Sequence, residues 1–328
     1  MTRLSHIGLL ISHQLTTKNR LKSLLQKVSR LLMVGLSFKE HQAIVKTIAR
    51  PQTRQILHIF PQVVFRYTAP YLSEKITLKR RRDMLKGHYA FLNDAFSSDF
   101  FPTVINEHLC LWGALIEGKF ISIQLSGPCL ITKNREGDLT ATVEYEGRIA
   151  CKIGFSIVPI STLPPLPASG QNAASHMLFV GQVQGQLREF ELIKEVTKLC
   201  QDISPLDLLM SAVEGFSAAL GADFVVGVSQ ANNVSFNDEA LAVANSHFNY
   251  SEFWHRYNGV ENSDGDFWIR MPLEAKPIHL IAANHRGRTL RKRAFKQQVS
   301  EQTRSVIEGY MLGHAKAPDW APAEEMAR

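Results

Sequence analysis

Cysteine, acidic residues and long apolar runs are all scarce in this chain. Its 328 residues include four cysteines, and none of them forms a Cys-x-x-Cys pair or stands beside a histidine at zinc-ligand spacing. The sequence therefore favours neither a disulfide framework nor a metal site, and it predicts a reducing, cytoplasmic compartment. No apolar run approaches the roughly 20 residues that a membrane-spanning helix needs. The apolar stretch 7–11 is too short for the core of a signal peptide.

The usual catalytic and nucleotide-binding motifs are also missing. The sequence contains no G-x-S-x-G, no P-loop, no H-E-x-x-H and no strand-led G-x-G-x-x-G. The common hydrolase, P-loop and dinucleotide-binding functions are therefore disfavoured.

The composition is that of a folded protein with a basic surface. Hydrophobic residues make up 45% of the chain and charged residues 20%, which excludes wholesale disorder. Lysine and arginine number 37 against 30 acidic residues, for a net charge of +7. This excess favours an anionic partner surface. Nucleic-acid binding is disfavoured because the basic residues are spread over separate segments and no nucleic-acid module is visible.

The hydrophobic patterns predict an α/β fold with a mixed, mostly antiparallel sheet. Short β-branched runs separated by glycine-containing breaks are typical of a hairpin meander. Apolar spacing of three and four residues predicts helices, and Pro102 is expected to end the first helical part. A later apolar strand lacks alternation and is expected to be central. The predicted order is helices at 62–100, a meander of four strands at 108–160, a strand at 177–185, helices at 189–200 and 205–220, and the central strand at 224–230.

We divide the chain into a basic helical segment at 1–60, one α/β domain at 61–310 and a flexible tail at 311–328. The first 50 residues contain nine basic residues and one acid, Glu40. They predict amphipathic helices whose basic face is either simply solvated or contacts anionic lipid or an acidic partner. A second basic helix is predicted at 279–304. Its candidate anion- or partner-binding residues are Arg286, Arg291, Lys292 and Arg293, and a solvated face is again the alternative.

The segment from Val180 to Lys198 carries the best candidate for a ligand site. Two glutamines lie two residues apart on one side of a predicted strand that ends in glycine, so side-chain amides and an approachable backbone meet at its carboxyl end. A helix N-terminus soon after it would offer unpaired N–H groups to an anion. The alternative is that Gly185 is a turn glycine. The candidate ligand-binding residues are Gln182, Gln184, Gly185, Arg188, Lys198 and, on the facing strand, Gln230; Arg188 and Lys198 are expected to meet phosphate or carboxylate.

His88 lies at the centre of a predicted helix and is the candidate catalytic acid or base. A helical histidine that is only solvated or hydrogen-bonded is the alternative interpretation.

The string Gln182-Val-Gln-Gly185-Gln-Leu187 partly resembles the Q/R-x-x-G-x-G/A loop of GCN5-related N-acyltransferases, with Leu187 in place of the second small residue. In that family the loop's backbone amides hold the pyrophosphate of an acyl-coenzyme A. The resemblance implies an acyltransferase-like fold, with acyl-coenzyme A or an acyl-carrier protein as the ligand.

A broader resemblance covers roughly residues 65–310. The motifs LFVGQVQG, EVTK, LGADFVVGVSQ, YSEFW and DGDFWIRMP, followed by the basic stretch 286–293, resemble the VirK/YbjX family of bacterial proteins. An R-x-x-L-x-x-HY arrangement that ends at His88 and Tyr89 agrees as well. The chain departs from the family where Cys200-Gln201-Asp202 replaces a His-Gly pair and where Asn232-Asn233 replaces a histidine. A catalytic role of either family histidine would be lost here.

The family resemblance implies a link to virulence, to resistance against cationic antimicrobial peptides and to the cell envelope. Relatives occur in gene clusters for microcin maturation, beside proteins similar to toxin-activating acyltransferases. We therefore expect a cytoplasmic protein that supports envelope or peptide modification, as an acyltransferase-like enzyme or with an acyltransferase partner protein. The alternative is a non-catalytic basic protein that docks on an anionic membrane surface, at the periphery of the inner membrane, or on an acidic protein.

Overall fold

An eight-stranded sheet carries helices on both faces in the computed structural model, which describes residues 28, 32–127, 135–167, 174–185, 189–235 and 248–313. The strands are β1 (Leu109–Ile116), β2 (Lys119–Ser126), β3 (Leu139–Tyr145), β4 (Arg148–Pro159), β5 (His176–Gly185), β6 (Phe224–Gly227), β7 (Val260–Glu261) and β8 (Phe267–Arg270). The helices are α1 (Phe38–Ile48), α2 (Gln55–Ile59), α3 (Leu78–Ala95), α4 (Phe100–Asn106), α5 (Phe190–Leu199), α6 (Pro205–Ala219), α7 (Tyr250–His255) and α8 (Ala283–Tyr310), with 3₁₀ helices at Pro61–Thr68, Ile160–Thr162 and Ile278–Leu280.

The sheet is mixed and mostly antiparallel, as predicted. Its strand order is β1-β2-β3-β4-β5-β6-β8-β7, and each neighbouring pair is antiparallel except β5 and β6. The predicted four-stranded meander is β1 to β4. The strand predicted to be central is β6, which lies between β5 and β8.

Strand alternation divides the core between the two faces of the sheet. Phe155 of β4 packs edge-on against Phe216 of α6, and Trp112 of β1 packs against Phe295 of α8 on the same face. The next residue of β4, Ser156, points to the opposite face, where α3 lies. Helices therefore cover both faces. Among the described residues, no helix is both long and apolar enough to cross a membrane.

Local capping signals explain the limits of α6. The Ser204 hydroxyl accepts a hydrogen bond from the Asp207 N–H at 3.1 Å, and Pro205 occupies the first helical position. Gly221 follows the helix with a φ of 66°, the left-handed conformation that a C-terminal glycine supplies.

The prediction that Pro102 ends the first helical part is wrong. Pro102 lies in the first turn of α4, which begins at Phe100. The N–H groups of a first helical turn have no intrahelical acceptor, so a proline there removes no hydrogen bond.

The ends of the chain are described only in part. Residues 1–27 and 29–31 of the predicted basic helical segment 1–60, and residues 314–328 of the predicted tail, lie outside the described residues. Helix α1 packs on α3, and its Ile44 and Ile48 are buried in the hydrophobic core.

Candidate functional site

Strands β5 and β6 run parallel and then separate, as the ligand-site prediction requires. They pair at Phe179 with Val226 and at Val180 with Gly227. A β-bulge at this point shifts the register of β5 against β4, so that Phe155 faces Val180 and Gly154 faces Gln182. No further pairing of β5 with β6 occurs within the described residues.

Polar side chains bind the backbone of β5 beyond the separation. The Tyr250 hydroxyl donates to the Val183 carbonyl oxygen at 3.0 Å and accepts from the Val183 N–H at 3.1 Å. The Asn233 amide nitrogen donates to the Gly181 carbonyl oxygen at 3.1 Å. These contacts satisfy backbone groups that would otherwise pair with a neighbouring strand.

Close packing at glycines brings the segment 135–138 onto the bulge. A Cβ atom at Gly181 would lie 2.2 Å from the Glu136 carbonyl oxygen, and one at Gly137 would lie 2.4 Å from the Phe155 nitrogen. Only glycine permits such an approach of two backbones. The segment therefore places Glu136 at the point where the strands separate.

Glu136 is a buried carboxylate, with 5% of its surface exposed. One carboxylate oxygen, Oε2, accepts a hydrogen bond from the Gln182 amide at 2.6 Å. Burial raises the pKa of Glu136, although hydrogen bonds from Ser235 and Asn233 and the positive charge of Lys152 oppose the shift. A carboxylate with a raised pKa is a candidate proton acceptor.

Lys152 lies on the same sheet face as Gln182 and directly across from Gln184 on the neighbouring strand. Its side chain is partly buried, and burial lowers its pKa although Glu136 acts in the opposite direction. Within the described part of the chain, no acidic oxygen lies within 4.0 Å of the Lys152 ammonium. The ammonium is therefore a partly desolvated cation without an ion pair.

The structure brings some of the predicted ligand-binding residues together. The buried Gln182 side-chain amide also donates a hydrogen bond to the side-chain oxygen Oε1 of Gln184 at 3.3 Å. Gly185 ends β5 beside these two residues. Gln230 lies in the turn after β6 and is partly exposed. Lys198 is exposed in the last turn of α5, about 12 Å along the helix axis from its first residue. Arg188 lies outside the described residues.

A second polar cluster lies deeper, between the sheet and α3. The Asp138 carboxylate forms an ion pair with Arg66 at 2.5 Å and accepts hydrogen bonds from Ser156 at 2.7 Å and Tyr89 at 3.1 Å. The Tyr71 hydroxyl donates to the same carboxylate. Burial alone would raise the pKa of Asp138, but Arg66, His88 and the hydrogen bonds from Tyr71 and Ser156 together outweigh burial, and the pKa lies below its ordinary value. All five residues are buried, so we assign this cluster to the stability of the fold.

His88 is next to this cluster and fully buried. Its Nδ1 atom accepts a hydrogen bond from the Ile157 N–H at 3.1 Å, and its Nε2 atom has no partner in the described part of the chain. Burial lowers the pKa of His88 to about 4. The imidazole is therefore neutral near pH 7, and its Nδ1 lone pair is committed to the backbone of β4.

We expect His88 to make the folded state lose stability as the pH falls from about 6.5 to about 4. In this window the unfolded state takes up a proton on the histidine and the folded state does not. At about 1.4 kcal/mol per pH unit, the loss amounts to about 3 kcal/mol for a pKa lowered to about 4. Urea unfolding at a series of pH values measures it. His88→Asn, whose Oδ1 can replace Nδ1 as acceptor, should flatten the dependence, and His58→Asn at an exposed position should not. Equal slopes for His88→Asn and the parent would contradict this assignment.

The predicted anion-binding residues lie at the exposed N-terminal end of α8. The first buried residue of this helix is Phe295. Several of the basic side chains donate hydrogen bonds to backbone carbonyl oxygens. Arg286 donates to that of Ile281, Lys292 to that of Asp202, and Arg293 to that of Lys276. Arg291 is exposed.

Sequence reasoning missed Glu136, Lys152 and Tyr250 as site residues. Glu136 stands in a Glu-Gly-Asp sequence that is typical of a turn between strands, and Tyr250 belongs to an aromatic stripe that is typical of core packing. A usable signal was the alternation of polar residues along β3 and β4, which places Lys152 on one sheet face with Thr140 and Thr142.

Comparison with known proteins supports the family resemblance. The family model described as "Protein of unknown function (DUF535)" matches residues 19–305. The chain is 23% identical over 269 residues to the protein named "Uncharacterized protein YbjX" of Escherichia coli (strain K12), a match that covers 79% of this chain and 76% of YbjX. No solved structure matches the chain. Because the family model covers most of the sequence and the chain is similar to YbjX, the chain belongs to the DUF535 family, which includes the VirK/YbjX proteins.

Proposed function

We propose that the protein supports the modification of an envelope component or a peptide, as an acyltransferase-like enzyme or as the accessory subunit of one. Its acyl donor would be an acyl-coenzyme A or an acyl-carrier protein. Through this activity it would contribute to resistance against cationic antimicrobial peptides and to virulence, as the family resemblance implies.

The observation that carries the proposal is the separation of β5 from β6 immediately beyond a β-bulge, with a buried carboxylate at the same point. Ligands of open α/β sheets bind in the crevice where neighbouring strands diverge at their carboxyl ends. The partly exposed Gln184 and Gly185 lie at the carboxyl end of β5 and are available to a donor that enters there.

Acyl transfer needs a group that accepts the proton of the attacking amine or hydroxyl. The nucleophile attacks the thioester carbonyl carbon, the proton passes to a base, and the thiolate leaves. We assign the base to Glu136, since this buried carboxylate lies where the strands separate and burial raises its pKa. His88 suits the role less well, because its Nδ1 is bonded to the Ile157 N–H inside the core.

Isothermal titration calorimetry with long-chain acyl-coenzyme A and with acyl-carrier protein tests the donor site. We expect the purified protein to bind one of these donors and Gln184→Ala to weaken binding about tenfold or more, because the variant removes a polar contact in a partly desolvated site. Gln298→Ala serves as the control, since this partly exposed glutamine lies on α8 at the opposite sheet face.

The proposal fails if neither donor binds the parent protein and Gln184→Ala leaves peptide resistance of the cells unchanged. Equal weakening by Gln184→Ala and Gln298→Ala would also count against a site on β5.

A second candidate function is docking on an anionic lipid surface. The favouring observation is that residues 275–300 contain no acidic residue and that the first eleven residues of α8, Ala283–Arg293, include no buried one. This end of the helix therefore presents a net positive surface to the solvent. Such a surface binds anionic lipid through charge, and added salt weakens it.

Flotation with vesicles that contain phosphatidylglycerol distinguishes the two functions. Under the second function, binding is lost at high salt, survives Gln184→Ala and disappears when Arg291, Lys292 and Arg293 are changed to Glu. A control with the same change in net charge converts Lys194, Lys198 and Arg148 to Glu. Loss of flotation in both charge variants would indicate a general charge effect and would exclude a docking site on α8.

A further inference from the structure

Large apolar side chains are exposed near the beginning of the described chain. The exposed fractions are 61% for Leu32, 90% for Leu36, 55% for Phe38 and 40% for Phe65. Leu36 is the most exposed of the large apolar side chains that the structure describes. Single exposed apolar residues are ordinary on a protein surface, but a group of them marks contact with another molecule.

Three of these side chains belong to one helical run. The helical segment that precedes α1 ends at Leu36, and α1 begins at Phe38. The His41 N–H donates to the Ser37 carbonyl oxygen at 2.9 Å, so helical hydrogen bonding starts directly at the junction. Leu32 and Leu36 are four residues apart and therefore lie on one side of the run.

Ring stacking places Phe65 beside the first turn of α1. Phe38 and His41 are three residues apart and share one side of the helix. The Phe65 ring stacks on the His41 ring, with centroids 5.1 Å apart and planes at 23°. The Tyr67 hydroxyl is hydrogen-bonded to His41 Nδ1 at 3.2 Å, which holds the 3₁₀ helix against α1. We call the four exposed side chains, Leu32, Leu36, Phe38 and Phe65, the apolar patch.

The apolar patch lies in a part of the chain with little negative charge. Residues 32–69 contain five basic residues and one acid, Glu40, which lies 4.0 Å from Arg82 of α3. Lys39 and Lys46 are exposed and form no ion pair with a described residue. They are seven residues apart and therefore lie on the same side of α1.

Helix α3 adds positive charge next to α1. The approach of Glu40 to Arg82 brings the first turns of the two helices together. Residues 75–93 contain six basic residues and one acid, Asp83. The surface around the apolar patch is therefore positively charged.

We infer that the apolar patch inserts into the surface of a bilayer that contains anionic phospholipid. The apolar side chains would enter the boundary between headgroups and acyl chains, while Lys39 and Lys46 would contact the headgroups. This contact goes beyond the docking of α8, because it depends on apolar insertion and on different residues.

A bilayer fits the apolar patch better than a protein partner does. Leu36 protrudes almost fully into the solvent, so a protein would need a matching pocket, whereas fluid lipid rearranges around the side chain. A second copy of the chain would bring the same unpaired lysines against each other, and like charges oppose association.

Fluorescence quenching by brominated lipid tests the insertion in the full chain. Vesicles of brominated phosphatidylcholine and phosphatidylglycerol should quench Leu36→Trp, because bromine atoms on the acyl chains reach only an inserted indole. The described native tryptophans are buried, and the spectrum of the parent protein is subtracted. The matched control is Phe190→Trp on α5, since this aromatic residue is 72% exposed and lies outside the apolar patch. It should not be quenched.

Flotation with the same lipids measures the affinity. Changing Leu36 and Phe38 together to Ser should weaken vesicle binding about tenfold or more, because two apolar side chains no longer leave the water. Phe190→Ser should bind as the parent does. Both variants should keep the Tm of the parent, since the changed side chains are largely exposed.

The inference is overturned if Leu36→Trp is not quenched, or if Phe190→Trp is quenched equally. It is also overturned if the emission of Leu36→Trp in the free protein is that of a buried indole, because another part of the chain or a second copy would then cover the apolar patch. Equal quenching by vesicles without phosphatidylglycerol would overturn the choice of anionic lipid.

The variant with Arg291, Lys292 and Arg293 changed to Glu separates this contact from docking of α8. Quenching of Leu36→Trp that persists in this background supports the insertion and counts against α8 as the docking site. Loss of flotation in this background, with parental flotation of the Leu36 and Phe38 double variant, would overturn the insertion and leave docking of α8 intact. Neither result depends on binding of an acyl donor.

Discussion

Asp138→Asn should lower the free energy of unfolding by about 3–5 kcal/mol, the range for removing one partner of a buried ion pair. The change leaves the Arg66 guanidinium buried without a counter-charge. It also puts an amide N–H₂ group where Tyr71, Tyr89 and Ser156 now donate. Urea unfolding followed by circular dichroism measures the loss.

The control for this prediction is Asp94→Asn. Asp94 also pairs with an arginine, Arg50, but the two side chains are 59% and 41% exposed. Exposed pairs contribute about 0–1 kcal/mol. If Asp138→Asn does not fold, Tyr89→Phe gives a milder measurement, with an expected loss of about 1 kcal/mol for one hydrogen bond. A loss for Asp138→Asn no larger than for Asp94→Asn would show that the cluster does not stabilise the fold.

Gly181→Ala should destabilise the protein by about 1–3 kcal/mol or more, as overpacking does. The new Cβ would lie 2.2 Å from the Glu136 carbonyl oxygen, a backbone atom that cannot move without its neighbours. The segment 135–138 would have to leave the bulge and would take Glu136 with it. We therefore expect the variant to lose acyl transfer, because the carboxylate proposed as the base would be displaced.

Gly185→Ala is a matched control on the same strand. A Cβ at this position would lie 3.8 Å from the Ile193 side chain, which is ordinary van der Waals contact. Its stability should stay within about 0.5 kcal/mol of the parent, as for an unstrained surface change. Thermal and urea unfolding of the two variants side by side provide the comparison. Equal effects at both positions would contradict the packing argument.

Much of the fold could be predicted because its signals are local. Ser204 and Pro205 begin α6 and Gly221 follows it as predicted, since capping depends on residues a few positions apart. The meander was predicted from short β-branched runs separated by glycine-containing breaks. The central strand was predicted from an apolar run in which polar and apolar residues do not alternate. Pro102 misled the prediction because a proline in a first helical turn and a proline after a helix look the same in the sequence.

The candidate site could be predicted only in part. Gln182, Gln184 and Gly185 are close in sequence and lie together at the end of β5. Glu136 contacts Gln182 from 46 residues away in the sequence, and Tyr250 contacts Val183 from 67 residues away. No local sequence pattern links these pairs. His88, singled out for its central position in a helix, is a buried hydrogen-bond acceptor.

The order of helices and strands follows from capping, turn residues and hydrophobic periodicity, interactions that operate over a few residues and are visible along the chain. The grouping of the polar residues required the folded sheet. Register and the bulge at Gly181 decide which side chains share a face, and contact with glycines brings Glu136 onto β5. Burial then shifts the pKa values of Glu136, Lys152 and His88, because desolvation depends on everything packed around a group and not on its neighbours in the sequence.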